Sequence, residues 1–243
     1  MTRFLTIILA ALSALLPLQA AAQTLSEQRV RELVLETIRE NPEIVMEAVS
    51  ILETRQNAAQ VASQADVLKR ERNLLERDPN APVLGNPDGD VTVVEFFDYN
   101  CPYCRRVKPV VEALLKADPN VRLVYREWPI LGEGSVFAAR AALAAREQGL
   151  YAKFHWAMMG MNGRAEEASV LRIAEEVGLD IARLRRDMEA PRVEDHIQTS
   201  MRLTQALGLN GTPSFVIGDT VAPGLMDLAE LRAAVEDARG GTR

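Results

Sequence analysis

Apolar residues recur at helical spacing along the first third of the chain. Val30, Leu33, Val34 and Ile38 fall on one face, and Thr24 with Glu27 fits a capping box opening that helix. Asn41-Pro42 marks a second start, since Asn caps free amides and Pro at the first helical position has no amide hydrogen to leave unpaired. The second stripe is Ile44, Val45, Ala48, Val49 and Leu52. Beyond Leu52 it thins to Ala58, Val61, Ala62 and Ala65 among Gln, Asn and Ser, so the tail of this helix is expected in solvent. Two short amphipathic helices make a poor independent core. Their apolar faces need a partner, either the rest of the chain or the same segment in another subunit, and self-association is the favoured reading.

Two turn-rich stretches, residues 78–82 and 85–89, then break the pattern and mark the start of a second domain. Residues 91–97 are dense in β-branched and aromatic side chains, as a buried strand should be. A helix is expected over residues 105–118 and a second strand over 121–128, so strand, helix and strand form a βαβ unit with a parallel pair. From about residue 134 to 207 the spacing is helical throughout, which predicts several inserted helices. Residues 214–217 and 220–222, split by Gly218-Asp219, predict a hairpin, and Asp227 caps a closing helix over 228–238.

Composition narrows the function classes. The chain has 243 residues, 48% of them hydrophobic, which is enough for one substantial domain and a smaller appendage. A formal charge of -6 argues against a nucleic-acid partner, which needs clustered Lys and Arg. Arg3, the apolar run of residues 4–18 and Ala20-Ala21-Ala22 read as a secretory signal, residues 1–22. The uncharged run is shorter than the roughly 20 residues a membrane anchor needs. Removing the signal takes away one basic residue and no acidic one, leaving a mature charge of -7.

An exported chain meets an oxidising compartment, yet its only two cysteines stand three apart, as Cys101-Pro102-Tyr103-Cys104. A bridge between them closes almost no loop, so its value is chemical. Between a strand and a helix, the first sulfur sits at a helix N-terminus, where free amides and the helix dipole favour a thiolate. Cys101 is the expected nucleophile and Cys104 the resolving thiol. Tyr103 adds a bulky neighbour that carries no charge at neutral pH. A zinc site needs about four ligands, the chain has no other cysteine, and His155 and His196 are its only histidines.

Gly211-Thr212-Pro213-Ser214 leads directly into a strand, and together with the Cys-x-x-Cys motif it resembles the thioredoxin superfamily. The segment Glu95-Phe96-Phe97-Asp98-Tyr99-Asn100 before Cys101 is similar to the active-site strand of its DsbA-like family. Residues 33–52, with Asn41-Pro42-Glu43-Ile44, resemble the N-terminal region of the suppressor-of-copper-sensitivity protein C family. The resemblance implies an α/β thioredoxin fold with an inserted helical subdomain at about 134–207, in a domain spanning 81–243, preceded by a helical oligomerisation segment at 23–80. It implies a cis Thr212-Pro213 bond, with Thr212 offering backbone groups to a substrate peptide, and Glu95 beneath the site as proton acceptor for Cys104. No cofactor is implied beyond a redox-active Cys101–Cys104 disulfide. The implied partners are exported proteins with cysteines, a membrane redox partner and further copies of the chain, as a dimer or trimer.

The resulting expectation is a periplasmic thiol:disulfide oxidoreductase, an isomerase or reductase linked to copper tolerance. The alternatives are a monomeric dithiol oxidase and a protein sequestering Cu(I) between Cys101 and Cys104, with Met158, Met159 and Met161 as conceivable thioethers. The ordinary reading of those methionines is core filling. His155, between Phe154 and Trp156, reads as a packed histidine, Lys108 as a solvated one-turn neighbour of the motif, and Pro109 as a kink in the active-site helix.

Overall fold

The computed structural model describes residues 26–241, and the expected signal at residues 1–22 and the Thr24 cap lie outside them. The described residues divide into two compact units, one ending at Gln56 and the other beginning at Asn57.

The first unit holds α1 (Glu27–Glu40) and the start of α2 (Glu43–Arg77). The N-cap of α1 is Ser26, whose side chain accepts from Arg29 N–H. Asn41 does not use its side chain to cap α2. Its amide donates back to Thr37 O at 3.1 Å, closing α1, because the carbonyls of that last turn lack other donors. No residue of α1 is buried. Val34, Leu35, Val45, Met46 and Leu52 are exposed, and Val30, Leu33, Val34, Ile38 and Ile44 line an apolar cleft of about 350 Å³.

The second unit is built on a five-stranded sheet of order β1-β3-β2-β4-β5, from β1 (Val83–Gly85), β2 (Val91–Phe97), β3 (Val121–Glu127), β4 (Ser214–Ile217) and β5 (Thr220–Pro223). The parallel β2–β3 pair joined by α3 (Pro102–Ala117) is the expected βαβ unit. Strand β4 runs antiparallel to β2 and forms the expected hairpin with β5, its turn entered through Gly218 at φ 57. Strand β1 was not expected. Three residues between Pro82 and Asn86 are too few to show alternation, and their strand character comes from pairing with β3.

Every residue of β2 and β3 is buried, so both faces of the sheet centre are covered. On one face Val93, Phe97, Leu123 and Tyr125 pack with α3 and the inserted helices α4 (Glu133–Ala145), α5 (Tyr151–Met159), α6 (Glu167–Val177) and α7 (Ile181–Met188). On the other, Val94, Phe96 and Val124 meet Leu203 and Leu207, which belong to or follow α8 (Pro191–Ala206), together with Val67, Leu68 and Leu75 of α2. The tail of α2 is therefore exposed through Val61 but not at its end, where three apolar residues complete the core. Asp78, just after it, pairs with the fully buried Arg126 at 2.7 Å. Asp227 caps α9 (Leu228–Gly241) reciprocally with Glu230. Among the described residues no helix is long and apolar enough to cross a membrane.

Candidate active site

Strand β2 ends in a turn whose geometry is set by short polar side chains. Asp98 Oδ1 accepts from Asn100 N–H at 2.7 Å, and Cys101 N–H donates to Asp98 O at 3.0 Å. The turn delivers Cys101 to the N-cap of α3, with Pro102 in the first helical turn. Both cysteines are free thiols and both are covered, Cys101 at 4% exposure and Cys104 at 1%. α3 continues through Pro109 to Ala117.

The loop before β4 closes the site from the other side. Thr212-Pro213 is cis, as expected, and Cys101 Sγ donates to Thr212 O at 3.2 Å. Two segments more than a hundred residues apart thus meet at one sulfur. Beside them Tyr103, Asn210, Gly211, Pro223 and Leu225 shape a cleft of about 380 Å³.

The electrostatics separate the two thiols. The hydrogen bond from Cys104, joined by the Thr212 side chain and the backbone amides of Tyr103 and Cys104, lowers Cys101 to about 6 against the opposing effect of burial. Burial first, then its bond to Cys101 and the charges of Glu95 and Cys101, push Cys104 far above the ordinary thiol range. Cys101 is therefore equipped to be a thiolate near neutral pH while Cys104 keeps its proton. Glu95 is 2% exposed on β2, and burial with the nearby Cys101 raises its carboxyl to about 8. It is a protonatable group that acts electrostatically on both sulfurs.

The remaining candidates fall elsewhere. Lys108 pairs with Glu112 at 3.2 Å and lies 5.7 Å over the Trp156 ring, so it is half-buried against the helical insertion rather than solvated. Met158 and Met159 are buried in the core, with Met161 packed against it. His155 is buried among Phe97, Tyr99, Tyr125, Tyr151 and Trp156, bonded to Tyr99 Oη at 3.0 Å, and burial with the Lys108 charge pushes it down to about 3. His196 sits in a second buried polar group, its Nε2 2.8 Å from Glu127 Oε2, while Tyr151 Oη donates to Glu127 Oε1 at 2.7 Å.

Sequence reasoning missed how the active-site turn is anchored. Asp98 Oδ2 accepts from Ile130 N–H and Leu131 N–H, and its Oδ1 also accepts from Ser135 Oγ. Asn100 exchanges hydrogen bonds with both backbone groups of Ala165. Only the Asp-x-Asn spacing hinted at this, since it is a sequence pattern for side chains that fold onto their own backbone.

A βαβ-centred sheet with a dithiol at a helix N-terminus facing a cis-proline loop defines a thioredoxin-type oxidoreductase. Residues 92–236 match the DSBA-like thioredoxin domain, and residues 27–59 match the copper resistance protein ScsC N-terminal domain. The chain belongs to the DSBA-like thioredoxin domain family, whose chemistry is thiol:disulfide exchange. A thioredoxin-like oxidoreductase from Silicibacter pomeroyi is 68% identical, with TM-score 0.69 over 70% of this chain and 98% of that one. ScsC of Proteus mirabilis in a transitional conformation is 30% identical, with TM-score 0.67 over 91% of this chain and 99% of that one. The thiol:disulfide interchange protein DsbA of Bordetella parapertussis is 27% identical over 57% of this chain and 68% of its own length. A Na(+)/H(+) antiporter, NhaA 1 of Salinispora arenicola, is 33% identical over 66% of this chain, which spans about a quarter of that relative's length.

Proposed function

We propose that the protein is an exported, periplasmic thiol:disulfide oxidoreductase that isomerises or reduces disulfides of other exported proteins. It acts as an oligomer assembled through its N-terminal helical segment, within residues 23–80, and contributes to copper tolerance. The observation that carries the reading is the 3.2 Å contact between Cys101 Sγ, at the N-cap of α3, and Thr212 O of the cis-proline loop, with a cleft beside them, which supports Cys101 as the nucleophile. In the exchange, the Cys101 thiolate attacks one sulfur of a substrate disulfide and the other leaves as a substrate thiolate. Once the mixed disulfide has removed the Cys101 charge that helps hold a proton on Glu95, the ionised Glu95 takes the proton of Cys104 through water, and Cys104 attacks the mixed disulfide. The products are a reduced substrate and a Cys101–Cys104 disulfide, which a membrane redox partner returns to the dithiol. Isomerisation follows when a different thiolate of the same substrate attacks the substrate sulfur of the mixed disulfide before Cys104 does, so that a new substrate disulfide forms and Cys101 leaves as its thiolate. The apolar, uncovered face of α1 and early α2 supports self-association, which sets paired sites around a shared substrate.

Equilibration with glutathione gives the redox potential, mass in solution gives the subunit number, and refolding of a scrambled multi-disulfide protein gives the isomerase activity. Removing residues 23–56 leaves Val67, Leu68 and Leu75 in place and is expected to yield a monomer with reduced isomerase activity. Equal isomerase activity in that monomer would count against the oligomeric reading. The Cu(I) reading narrows to the two thiolates, because Met158 and Met159 are committed to the core. Titration of the reduced protein with Cu(I), compared with Cys101→Ser, tests it.

A further inference from the structure

Asp98 is 2% exposed, and its carboxylate is saturated with donors from three places in the chain. Oδ1 accepts from Asn100 N–H and from Ser135 Oγ, each at 2.7 Å, and Oδ2 accepts from Ile130 N–H at 2.8 Å and Leu131 N–H at 2.9 Å. An amide in its place has one acceptor oxygen and could not serve both pairs, so this point in the fold calls for a carboxylate. Asn100, two residues on, donates from Nδ2 to Ser135 Oγ and to Ala165 O, both at 3.1 Å, and accepts from Ala165 N–H at 2.8 Å. Gly134 lets the same segments close up, since a Cβ there would stand 2.1 Å from Ala165 O. The turn after β2, the start of α4 and the loop between α5 and α6 thus meet in one polar junction. Its main chain holds the nucleophile directly, because Asp98 O accepts from Cys101 N–H at 3.0 Å.

We propose that Asp98 is a positioning residue for thiol:disulfide exchange, the centre of a three-way junction that holds the Cys101 sulfur in line with the amides of α3 and 3.2 Å from Thr212 O. The inference rests on the oxidoreductase reading and concerns how its nucleophile is held. The hydrogen bonds that favour the Cys101 thiolate come from Cys104, Thr212 and the amides of Tyr103 and Cys104. Such bonds are short and directional, so they weaken when the turn that aims the sulfur moves. A carboxylate acting through its charge would do the opposite, since a negative charge near a thiol disfavours the thiolate. Position and charge therefore give shifts of opposite sign when the carboxylate is removed. The ionisable groups acting on Cys101 are Cys104 and Arg105 from α3 and Glu95 from β2, and none of them is altered by a change at Asp98, Asn100 or Gly134.

The test is the thiolate absorbance of Cys101 against pH in full-length reduced protein, for the parent, Asp98→Asn, Asn100→Ala and Gly134→Ala, with Leu75→Ala as a variant weakened in the core away from the junction. Asp98→Asn keeps the shape and loses the charge and an acceptor. It is expected to titrate about half a pH unit or more above the parent, and Asn100→Ala and Gly134→Ala, which change no charge, to move in the same direction. Leu75→Ala is expected to titrate with the parent, because lost packing elsewhere lowers stability without re-aiming the sulfur. Glutathione equilibrium should follow, the junction variants holding their Cys101–Cys104 disulfide more firmly than the parent. The proposal is overturned by Asp98→Asn titrating at or below the parent, by either Asn100→Ala or Gly134→Ala titrating with the parent, or by Leu75→Ala shifting as far as the junction variants. If Asp98→Asn or Gly134→Ala does not fold, Asn100→Ala, at a half-buried position, gives the same reading. Failure of the parent to exchange disulfides would instead overturn the oxidoreductase reading, and the titration, which needs no substrate, would still report on the junction.

Discussion

Cys101 and Cys104 have the same chemistry and opposite environments, and that difference is the most directly testable property of the site. Alkylation of Cys101 should rise with a midpoint near pH 6, whereas Cys104 should stay unreactive in the native protein. Because folding lowers the Cys101 thiol from 9.0 to about 6, it favours the reduced native state at high pH, and the gain is lost as pH falls through about 6. At neutral pH the advantage is on the order of 1 kcal/mol, or about 20 mV toward the dithiol, which is modest for a site meant to drive oxidation. Glu95 has the opposite sign. Its folded carboxyl stands near 8 against 4.5, so the native state keeps a proton the unfolded chain has released, and stability falls across that window. The urea midpoint of the reduced parent relative to reduced Glu95→Gln should fall between about pH 5 and about pH 8, a difference in which the opposing Cys101 contribution common to both proteins cancels. A Glu95→Gln profile parallel to the parent's would remove Glu95 as the cause.

At the scale of elements, the end of α2 offers a clean contrast. Leu75 is 1% exposed against the sheet and Val61 is 65% exposed on the same helix. Leu75→Ala should cost about 2–5 kcal/mol in urea unfolding and Val61→Ala about 0.5 kcal/mol or less. The pattern of apolar residues made β2, α3, β3, the hairpin and the inserted helices legible, because each repeats its period over enough residues to show. It hid the role of Val67, Leu68 and Leu75, which stand among Lys69, Arg70, Glu71 and Arg72 and acquire their meaning from Val94 and Phe96 across the sheet. Asn41 was legible as punctuation but not as the end of α1 rather than the start of α2, since the same amide serves either purpose. The motif residues of the site were readable from spacing. The anchoring of the turn was not, because the partners of Asp98 at Ile130, Leu131 and Ser135 lie 32 to 37 residues further along the chain.

At the scale of the molecule, the two units hold together by different means. Residues 57–241 contain a core closed on both sides of a sheet, and their stability belongs to the chain itself. The helix α1 has no buried residue at all. A 14-residue helix of that kind is marginal alone in water, so its order must come from whatever covers its apolar stripe. If other copies cover it, folding of this segment is a bimolecular event and obeys mass action. Dilution should then melt α1 selectively, lowering far-UV helicity and raising amide exchange in residues 27–52, while the sheet stays protected. Exchange at those positions that is equally fast at high and low concentration would argue for a different partner. In that light the bare stripe makes the N-terminal segment a gauge of how much protein is present, readable separately from the redox state of the cysteines.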